Sequence, residues 1–244
     1  MLVEIRLMRP HEFWQEIHPP ATFRKHPAEG HREFFPAEFE DGRQLRLPIR
    51  ELSDGKHALA SLIINQASFD VEDTLCAALA LKTRPFGPEI VVGLPTLGLT
   101  VARGVARHLG HSRYVPLGTS RKFWYRDDLS VPLSSITSPS QSKSLYLDPR
   151  MMPLIENKRV LLVDDVVSSG TSISAALHLL LNCGVAPVVI GAAMLQTDRW
   201  QAKLAELDPS WPERVVGVLK TPLLQRMPGN GWLEATPERE ARES

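Results

Sequence analysis

Val160-Leu-Leu-Val-Asp-Asp-Val-Val-Ser-Ser-Gly-Thr-Ser172 is the stretch that decides the fold of this 244-residue chain. Its first four residues are apolar and predict a buried strand. Asp164 and Asp165 follow at once, and the Ser-Ser-Gly-Thr-Ser turn then opens a helix that we expect over residues 171–183. Gly184 supplies the residue that ends this helix. A strand that enters a helix through so short a turn is typical of a parallel α/β sheet.

The same alternation of apolar runs and helical periodicity continues on both sides of this stretch. We expect strands at 90–94, 113–116, 160–163, 188–194 and 215–219, and helices at 72–82, 100–109, 171–183 and 199–207. Asp70 is the expected N-cap of the first helix. Strands separated by helices predict βαβ units, and therefore an α/β fold with a parallel twisted sheet of about five strands and helices on both faces.

Composition divides the chain into three parts. Residues 1–57 are rich in proline and histidine, so we expect an irregular N-terminal extension, or hood, with one strand where Leu45, Leu47 and Ile49 alternate with polar residues. The expected core spans residues 58–220, and residues 221–244 form a C-terminal tail.

A long segment of the core, residues 117–157, shows no helical pattern. Loops of this length inside a compact domain tend to be functional, so we expect a lid. Part of the lid is predicted to form a β-hairpin in which residues 131–136 face residues 144–147.

Charge and apolar patterning exclude several classes of protein. The chain has 28 basic and 28 acidic side chains, which gives no surplus of positive charge to attract nucleic acid or an anionic membrane. The N-terminus carries charges where a signal peptide needs an apolar core, and no stretch approaches the ~20 apolar residues of a membrane-spanning helix. Cys76 and Cys183 form no disulfide framework or metal-ligand spacing. We therefore expect a cytoplasmic protein without nucleic-acid or membrane partners.

The turn after the central strand has the chemistry of a phosphate site. Backbone amides of residues 168–172 would lie at a helix N-terminus, where the macrodipole favours an anion. Gly170 permits close approach of the backbone, and the neighbouring hydroxyls add neutral donors. The turn lacks the lysine of the nucleoside-triphosphate loop, which favours a monophosphate. Asp164 and Asp165 are suited to paired ribose hydroxyls or to a hydrated Mg²⁺.

VLLVDDVVSSGTS resembles, along its whole length, the 5-phosphoribosyl-1-pyrophosphate (PRPP) signature of the type I phosphoribosyltransferases. The resemblance implies the fold of that family, a pentosyltransferase activity with Mg²⁺, and a homodimer. It also implies that Asp164 and Asp165 bind the ribose hydroxyls and hold the metal indirectly, through water or PRPP. The residues that would hold the 5′-phosphate are Ser168, Ser169, Gly170, Thr171 and Ser172.

A second motif, Gly93-Leu-Pro-Thr-Leu-Gly98, follows the first core strand. It resembles the family's pyrophosphate loop, and it again places backbone amides before a helix. The residues concerned are Leu94, Pro95, Thr96, Leu97 and Gly98. Arg121 and Lys122 match the family's lid cations, which close over the pyrophosphate. Together with Asp164 and Asp165 they form the expected catalytic set.

The acceptor base is indicated by weaker features. Asn65-Gln66 is similar to the Asn-His-Gln motif of xanthine phosphoribosyltransferases but lacks the histidine, and Gln196 stands where a lysine would read an oxygenated purine. Ser168 replaces the general-base aspartate of hypoxanthine-guanine enzymes. A neutral glutamine favours adenine or another neutral base, because it offers a donor and an acceptor without charge.

Two other functions stay open. Residues 130–137 also resemble the lid of the bacterial purine repressor, which suggests a PRPP-sensing regulator that does not catalyse transfer. An orotate-type pyrimidine phosphoribosyltransferase is the other alternative, although a carboxylated base would need a cation where Gln196 stands. The general acid or base is not assigned, with Asp127 and Asp128 as candidates.

Overall fold

The structure, a computed structural model, describes residues 8–133, 143–229 and 231–235. The chain forms two compact units. One comprises Met1–Val71 together with Leu219–Ser244, and the other is Glu72–Val218.

The described part of the chain contains thirteen strands and four α-helices. In chain order they are β1 (Ile17–His18), β2 (Phe34–Glu38), β3 (Gln44–Glu51), β4 (His57–Ala60), α1 (Phe69–Thr83), β5 (Ile90–Gly93), α2 (Gly98–His108), β6 (Val115–Pro116), β7 (Ser130–Pro132), β8 (Ser144–Tyr146), β9 (Val160–Val167), α3 (Thr171–Asn182), β10 (Val189–Gln196), α4 (Arg199–Ala205), β11 (Val215–Thr221), β12 (Leu223–Arg226) and β13 (Trp232–Glu234).

The second unit is built on a five-stranded parallel sheet in the order β11-β10-β9-β5-β6. The central strand β9 pairs in parallel with β5 and β10, and Val163 lies level with Gly93 on one side and Gly191 on the other. All residues of β5 and β10 are buried, as expected for strands covered on both faces. The predicted α/β fold is confirmed.

Helices cover both faces of this sheet. On one face, glycines give α1 and α2 room: a Cβ on Gly93 would lie 2.5 Å from Ala102 of α2, and one on Gly191 would lie 3.2 Å from Leu79 of α1. On the other face, Leu162 packs in the same buried cluster as the apolar residues of α3 and α4. Burial on both faces explains why the strand sequences are continuous apolar runs.

Two expected boundaries are wrong. The central strand does not end before the acidic residues: β9 runs to Val167, so Asp164 and Asp165 lie within it, because pairing with β10 continues past them. Helix α1 begins at Phe69, so Asp70 is not its N-cap. Ser68 has this role instead, and its hydroxyl accepts a hydrogen bond from the Val71 amide at 3.3 Å.

The N-terminal region is not irregular, contrary to the prediction. Strands β1, β2, β3 and β4 belong to an antiparallel six-stranded sheet, and the strand expected around Leu45 is β3. Pro36 and Pro48 are accommodated within β2 and β3. Proline opposes helices strongly, so its abundance argues correctly against helices here, but it does not prevent strands: Pro48 lies in β3, which pairs with β1, β2 and β4.

The C-terminal residues complete the same sheet. β12 pairs antiparallel with both β4 and β13, which adds residues 223–234 to the first unit. Composition predicts that the core begins at residue 58, whereas residues 58–60 lie in the first unit because β4 pairs with β12.

The lid segment contains the predicted hairpin. Strands β7 and β8 pair antiparallel, with Val131 opposite Leu145. Residues 134–136 of the predicted hairpin lie outside the described residues. The described part of the lid holds no α-helix, but it includes 3₁₀ turns at Asp127–Leu129 and Pro149–Leu154.

Within the described ranges, no helix combines the length and the apolar character that crossing a membrane requires.

Candidate functional site

The carboxyl ends of the parallel strands bring the predicted site segments to one edge of the sheet. The Leu94 amide donates to the Val163 carbonyl at 2.9 Å, which places the start of the 94–98 turn beside β9. The Leu117 amide donates to the Gly93 carbonyl at 2.9 Å, so the lid begins on the other side of the same turn. Ligands of open parallel sheets bind at this edge.

The turn between β9 and α3 is shaped by a glycine and by hydroxyl groups. Gly170 has a φ of +81° and immediately precedes α3. A side chain there would also lie within 3.1 Å of Trp200 and Lys203, so only glycine fits without strain. The Ser169 and Thr171 hydroxyl oxygens are 3.0 Å apart and hydrogen bonded. The turn therefore has a defined conformation while its hydroxyls stay accessible.

A cavity of about 90 Å³ opens at this turn. It is several times larger than the roughly 10–15 Å³ that one water molecule requires. The lining residues are Asp164, Val166, Val167, Ser168, Ser169, Gly170, Thr171, Ser172 and Ile173. The first amides of α3 have no partners inside the helix, so the cavity offers unpaired donors, hydroxyls and the positive end of a dipole. This is an environment suited to an anion.

Asp164 of the acidic pair lines the cavity, and the adjacent Asp165 is half-buried. Asp164 is 7% exposed, and its Oδ1 accepts the Asp165 amide at 2.9 Å. Burial, reinforced by repulsion from Asp165, raises the pKa of Asp164 well above its ordinary range. Burial also raises the pKa of Asp165. A buried carboxylate next to a half-buried one is costly unless a ligand or a cation compensates the two charges.

The 94–98 turn contacts this acidic pair directly. Gly98, the first residue of α2, is buried so close to Asp164 that a Cβ would lie 2.6 Å from the Oδ1 atom. The Pro95–Thr96 peptide bond is cis. Leu94 is buried and Thr96 is exposed. The structure thus brings together two segments, one at each end of the predicted ligand, that are about 70 residues apart in sequence.

The lid cations are at the surface. Arg121 is exposed and forms an ion pair with Asp127, with 2.8 Å between Nη2 and Oδ1. Lys122 is also exposed. Asp128 is paired with Arg126, whose hydrogen bonds hold the pKa of this carboxyl below its usual value. Both candidate general bases of the lid are therefore paired with arginine.

The two candidate base-binding residues belong to different units. Gln196 is the last residue of β10 and is 8% exposed, at the same sheet edge as the acidic pair. Thr197, which follows it, has a φ of +60°, a rare conformation for a β-branched residue. Asn65 is exposed in a 3₁₀ turn, Ile64–Gln66, of the first unit.

Sequence reasoning missed a cluster beside the lid cations. Trp124 donates its indole N–H to Asp148 at 3.3 Å, and the Arg150 guanidinium lies 4.5 Å from the centre of its ring. The aromatic run at residues 123–125, directly after two cations, was the available signal. Its partners 24 residues further along could not be read from it.

The acidic pair fits the way in which proteins hold Mg²⁺. This ion keeps several waters and binds through one or two carboxylates together with substrate phosphates. In the described ranges, no group of three or more histidine, cysteine or acidic side chains could form a cage made of protein alone. Asp164 and Asp165 would therefore hold the ion in cooperation with a phosphorylated ligand.

The fold and this edge of the sheet define an open parallel α/β protein with a small polar cavity at the carboxyl ends of its strands. Residues 62–218, almost two thirds of the chain, match the family model of the phosphoribosyl transferase domain. The chain belongs to the phosphoribosyltransferase family.

Curated relatives and solved structures agree with this membership. The chain is 35% identical over 127 residues to the bifunctional protein PyrR of Mycolicibacterium paratuberculosis, covering 49% of this chain and 60% of the relative. It is 33% identical over 117 residues to PyrR of Limosilactobacillus reuteri, covering 47% and 61%. The chain thus spans about 60% of the length of these relatives.

Among solved structures, the adenine phosphoribosyltransferase of Thermoanaerobacter pseudethanolicus superposes with a TM-score of 0.51 at 18% identity, over 62% of this chain and 81% of that one. The enzyme of Giardia lamblia, complexed with 9-deazaadenine, gives 0.51 at 19% identity, over 62% and 80%. At this identity the likeness supports the fold.

Proposed function

We propose that this chain transfers the 5-phosphoribosyl group of PRPP to a ring nitrogen of a nucleobase and releases pyrophosphate. The observation that carries the proposal is the cavity at residues 168–172, whose lining includes the buried Asp164. An anion site beside two carboxylates matches a ribose phosphate, which has one anionic end and two neighbouring hydroxyls. Membership of the phosphoribosyltransferase family supports the same ligand.

Each segment of the sheet edge has a separate task in this proposal. The amides and hydroxyls of residues 168–172 bind the 5′-phosphate, and Asp164 and Asp165 accept hydrogen bonds from the ribose hydroxyls. Residues 94–98 bind the pyrophosphate through backbone amides, with Arg121 and Lys122 closing over it. Mg²⁺, when bound, supplies positive charge that offsets the charge of the departing pyrophosphate.

The reaction exchanges one bond at C1 of the ribose. The bond from C1 to the pyrophosphate oxygen breaks with its electron pair, a base nitrogen forms the new bond, and the proton of that nitrogen leaves to solvent. C1 gains oxocarbenium character during the exchange, as in glycoside chemistry. The chain must therefore fix both ends of PRPP and exclude water from C1, and the lid of residues 117–157 is suited to exclusion.

The proposed acceptor is a purine such as adenine. Gln196 carries no charge, and its amide can both donate to and accept from a neutral base. Its position at the carboxyl end of β10 puts this amide at the same sheet edge as Asp164. Asn65, which the family resemblance links to the base, is a second candidate for the same role.

A second function has support from the curated relatives. They are named bifunctional proteins, which favours a role for this fold beyond transfer, such as a PRPP-sensing regulator. A regulator of this kind would bind PRPP at the same cavity and would release no pyrophosphate with any base.

A screen of acceptor bases tests these proposals. The chain is mixed with PRPP, Mg²⁺ and one base at a time, across purines and pyrimidines, and pyrophosphate release is measured together with PRPP binding by calorimetry. We expect release with adenine. PRPP binding without release would favour the regulator, and release with orotate or uracil would replace the purine by a pyrimidine. Absence of PRPP binding would overturn the ligand itself.

A further inference from the structure

The loop that carries the two lid cations is closed at both ends on one short segment. At its start, Gly118 and Tyr146 exchange two backbone hydrogen bonds, of 3.0 and 2.8 Å. At its end, the Trp124 indole N–H donates to Asp148, two residues beyond Tyr146. Residues 119–123 therefore form a loop whose two ends are both held in place.

Three further contacts hold the end of this loop in place. Arg150 stacks on the Trp124 ring and is itself bonded to Asp148, with 3.0 Å between Nε and Oδ1. The rings of Tyr125 and Tyr146 are 5.8 Å apart. Hydrogen bonds from Arg150 and Trp124 lower the pKa of Asp148 to about 2, so this carboxylate stays charged. We call these five residues, Trp124, Tyr125, Tyr146, Asp148 and Arg150, the aromatic clasp.

The loop starts beside the turn to which pyrophosphate is assigned. Leu117 is bonded to Gly93, the residue that precedes the 94–98 turn. Arg121 lies four residues beyond Leu117, so its backbone is at most about 14 Å from that contact. The Tyr125 amide also donates to the Lys122 carbonyl at 3.0 Å, which adds a turn inside the loop.

The clasp lies at the surface, where each of its contacts is individually weak. Trp124 is 39% exposed, and its neighbour Phe123 is 97% exposed. Together, however, the contacts fix both ends of a five-residue excursion inside a long loop. A loop that is ordered before binding loses less conformational entropy when it contacts a ligand.

We propose that Trp124, Asp148 and Arg150 are positioning residues, which hold the loop of residues 119–123 so that Arg121 and Lys122 face the pyrophosphate of PRPP. This inference rests on the proposed function, because it requires PRPP as the ligand. A positioning role differs from a purely structural role in one respect. Loss of these residues weakens the binding of ligands that carry pyrophosphate and leaves the binding of other ligands unchanged.

Binding of two probes, each measured by calorimetry with Mg²⁺, tests the inference. PRPP carries pyrophosphate, whereas ribose 5-phosphate has the same 5′-phosphate and ribose hydroxyls without it. For Trp124→Ala we expect about tenfold weaker PRPP binding, since an indole hydrogen bond and a cation–π contact are lost. Ribose 5-phosphate should bind as it does to the wild type. Phe69→Ala is the control, because it removes a ring that is 87% exposed and lies outside both the loop and the aromatic clasp; it should bind both probes as the wild type does.

A double-mutant cycle separates positioning from direct contact. If Trp124 acts through the cations, then Trp124→Ala should weaken PRPP binding no further in a chain that already carries Arg121→Ala and Lys122→Ala. Full additivity, or equal weakening of both probes, would overturn the inference. A Trp124→Ala chain that binds PRPP as the wild type does would overturn it as well. Failure of the wild type to bind PRPP would instead refute the proposed function.

Discussion

The two turns that follow β5 and β9 lie side by side at the same sheet edge, and each leads into a helix, yet they are stabilised differently. The 94–98 turn is held by tertiary packing, since Gly98 abuts Asp164 so closely that no side chain fits. The 168–172 turn has local restraints as well, namely the left-handed conformation of Gly170 and the hydrogen bond between Ser169 and Thr171, in addition to the close approach of Gly170 to Trp200. This second turn lines a cavity.

This difference indicates that the two turns have different roles around the acidic pair. The first turn fixes where the carboxylates lie, and the second keeps donors available to an anion. Substitutions in the first turn should therefore act through Asp164, whereas those in the second should act on the ligand alone. The following predictions test this comparison, from the largest expected effect to the smallest.

Replacing the acidic pair between the two turns should have the largest effect. Asp165→Ala removes acceptors for the ribose hydroxyls, and hydrogen bonds to a charged group contribute about 1.5–3 kcal/mol each. Losing two of them should lower kcat/KM by about 100-fold or more, since about 1.4 kcal/mol is tenfold in rate. The measurement is pyrophosphate release, with thermal unfolding as the check that the variant is folded. Asp208→Ala, at an exposed position outside the site, is the control. Full activity of Asp165→Ala would refute the ribose-binding role.

A side chain in the packed turn should disturb the acidic pair. In Gly98→Ala the new Cβ would lie 2.6 Å from Asp164 Oδ1 and 3.0 Å from its Cα, so the strand must move. Overpacking of this kind costs about 1–3 kcal/mol of stability. We also expect about tenfold lower activity, because small displacements of positioned groups are costly in rate.

Gly110→Ala separates packing from backbone conformation. Gly110 has a φ of +83°, and a Cβ there would meet no atom within 4 Å. The Gly110→Ala variant should lose about 1 kcal/mol of stability, the usual penalty for a non-glycine residue in the left-handed conformation, and should keep its activity. If Gly98→Ala behaved in the same way, the turn would not be fixed by its contact with Asp164.

The acidic pair should make the stability of the ligand-free protein depend on pH. Because burial raises the pKa of Asp164, the native state retains a proton that the unfolded state has already released. Stability is therefore unaffected below the ordinary Asp pKa. As the pH rises from the ordinary Asp pKa toward the raised pKa of the native state, the free energy of unfolding falls by about 1.4 kcal/mol per pH unit. Denaturant unfolding at a series of pH values measures this slope.

Asp164→Asn should reduce that slope and stabilise the ligand-free chain at neutral pH, while it weakens PRPP binding. A variant that is less stable than the wild type at neutral pH, with an unchanged slope, would show that the carboxylate is not destabilised by burial.

A single hydroxyl of the open turn should have the smallest effect. Ser169→Ala removes the hydrogen bond to Thr171, and one neutral hydrogen bond contributes about 0.5–1.5 kcal/mol. We expect ribose 5-phosphate to bind about two- to tenfold more weakly, with a loss of stability of no more than about 1 kcal/mol because this hydrogen bond is exposed. Ser112→Ala, at an exposed serine outside the site, is the matched control. A large loss of stability in Ser169→Ala would mean that the second turn also depends on its hydroxyls for folding.

The order of elements in the parallel sheet was predictable because its signals are local. Apolar runs and helical periodicity located all five strands of the sheet and the helices between them, and the hairpin of β7 and β8 followed from the same pattern. The motifs predicted the acidic pair and the two turns as site residues, and the structure brings these segments to one edge of the sheet. Their boundaries were less predictable: β9 continues through Asp164 because β10 pairs with it, which no local pattern reveals.

The first unit was not predictable by the same means. Its sheet joins β4 to β12, segments more than 160 residues apart, and the pairing partners of a strand are not written in its own sequence. The aromatic clasp was not predicted from the sequence for the same reason, since Trp124 and Asp148 are 24 residues apart.

The sequence by itself determined the residue types of the proposed site: a turn of hydroxyl residues around Gly170, two adjacent carboxylates and the parallel sheet that presents them. These depend on residue types within a few positions of one another, where periodicity, capping and dipole effects act. Only the tertiary structure decided that Gly98 fixes Asp164, that both ends of the chain share one antiparallel sheet, and that a clasp orders the loop of the lid cations. Such contacts join distant segments, and their free energy depends on how the whole chain packs.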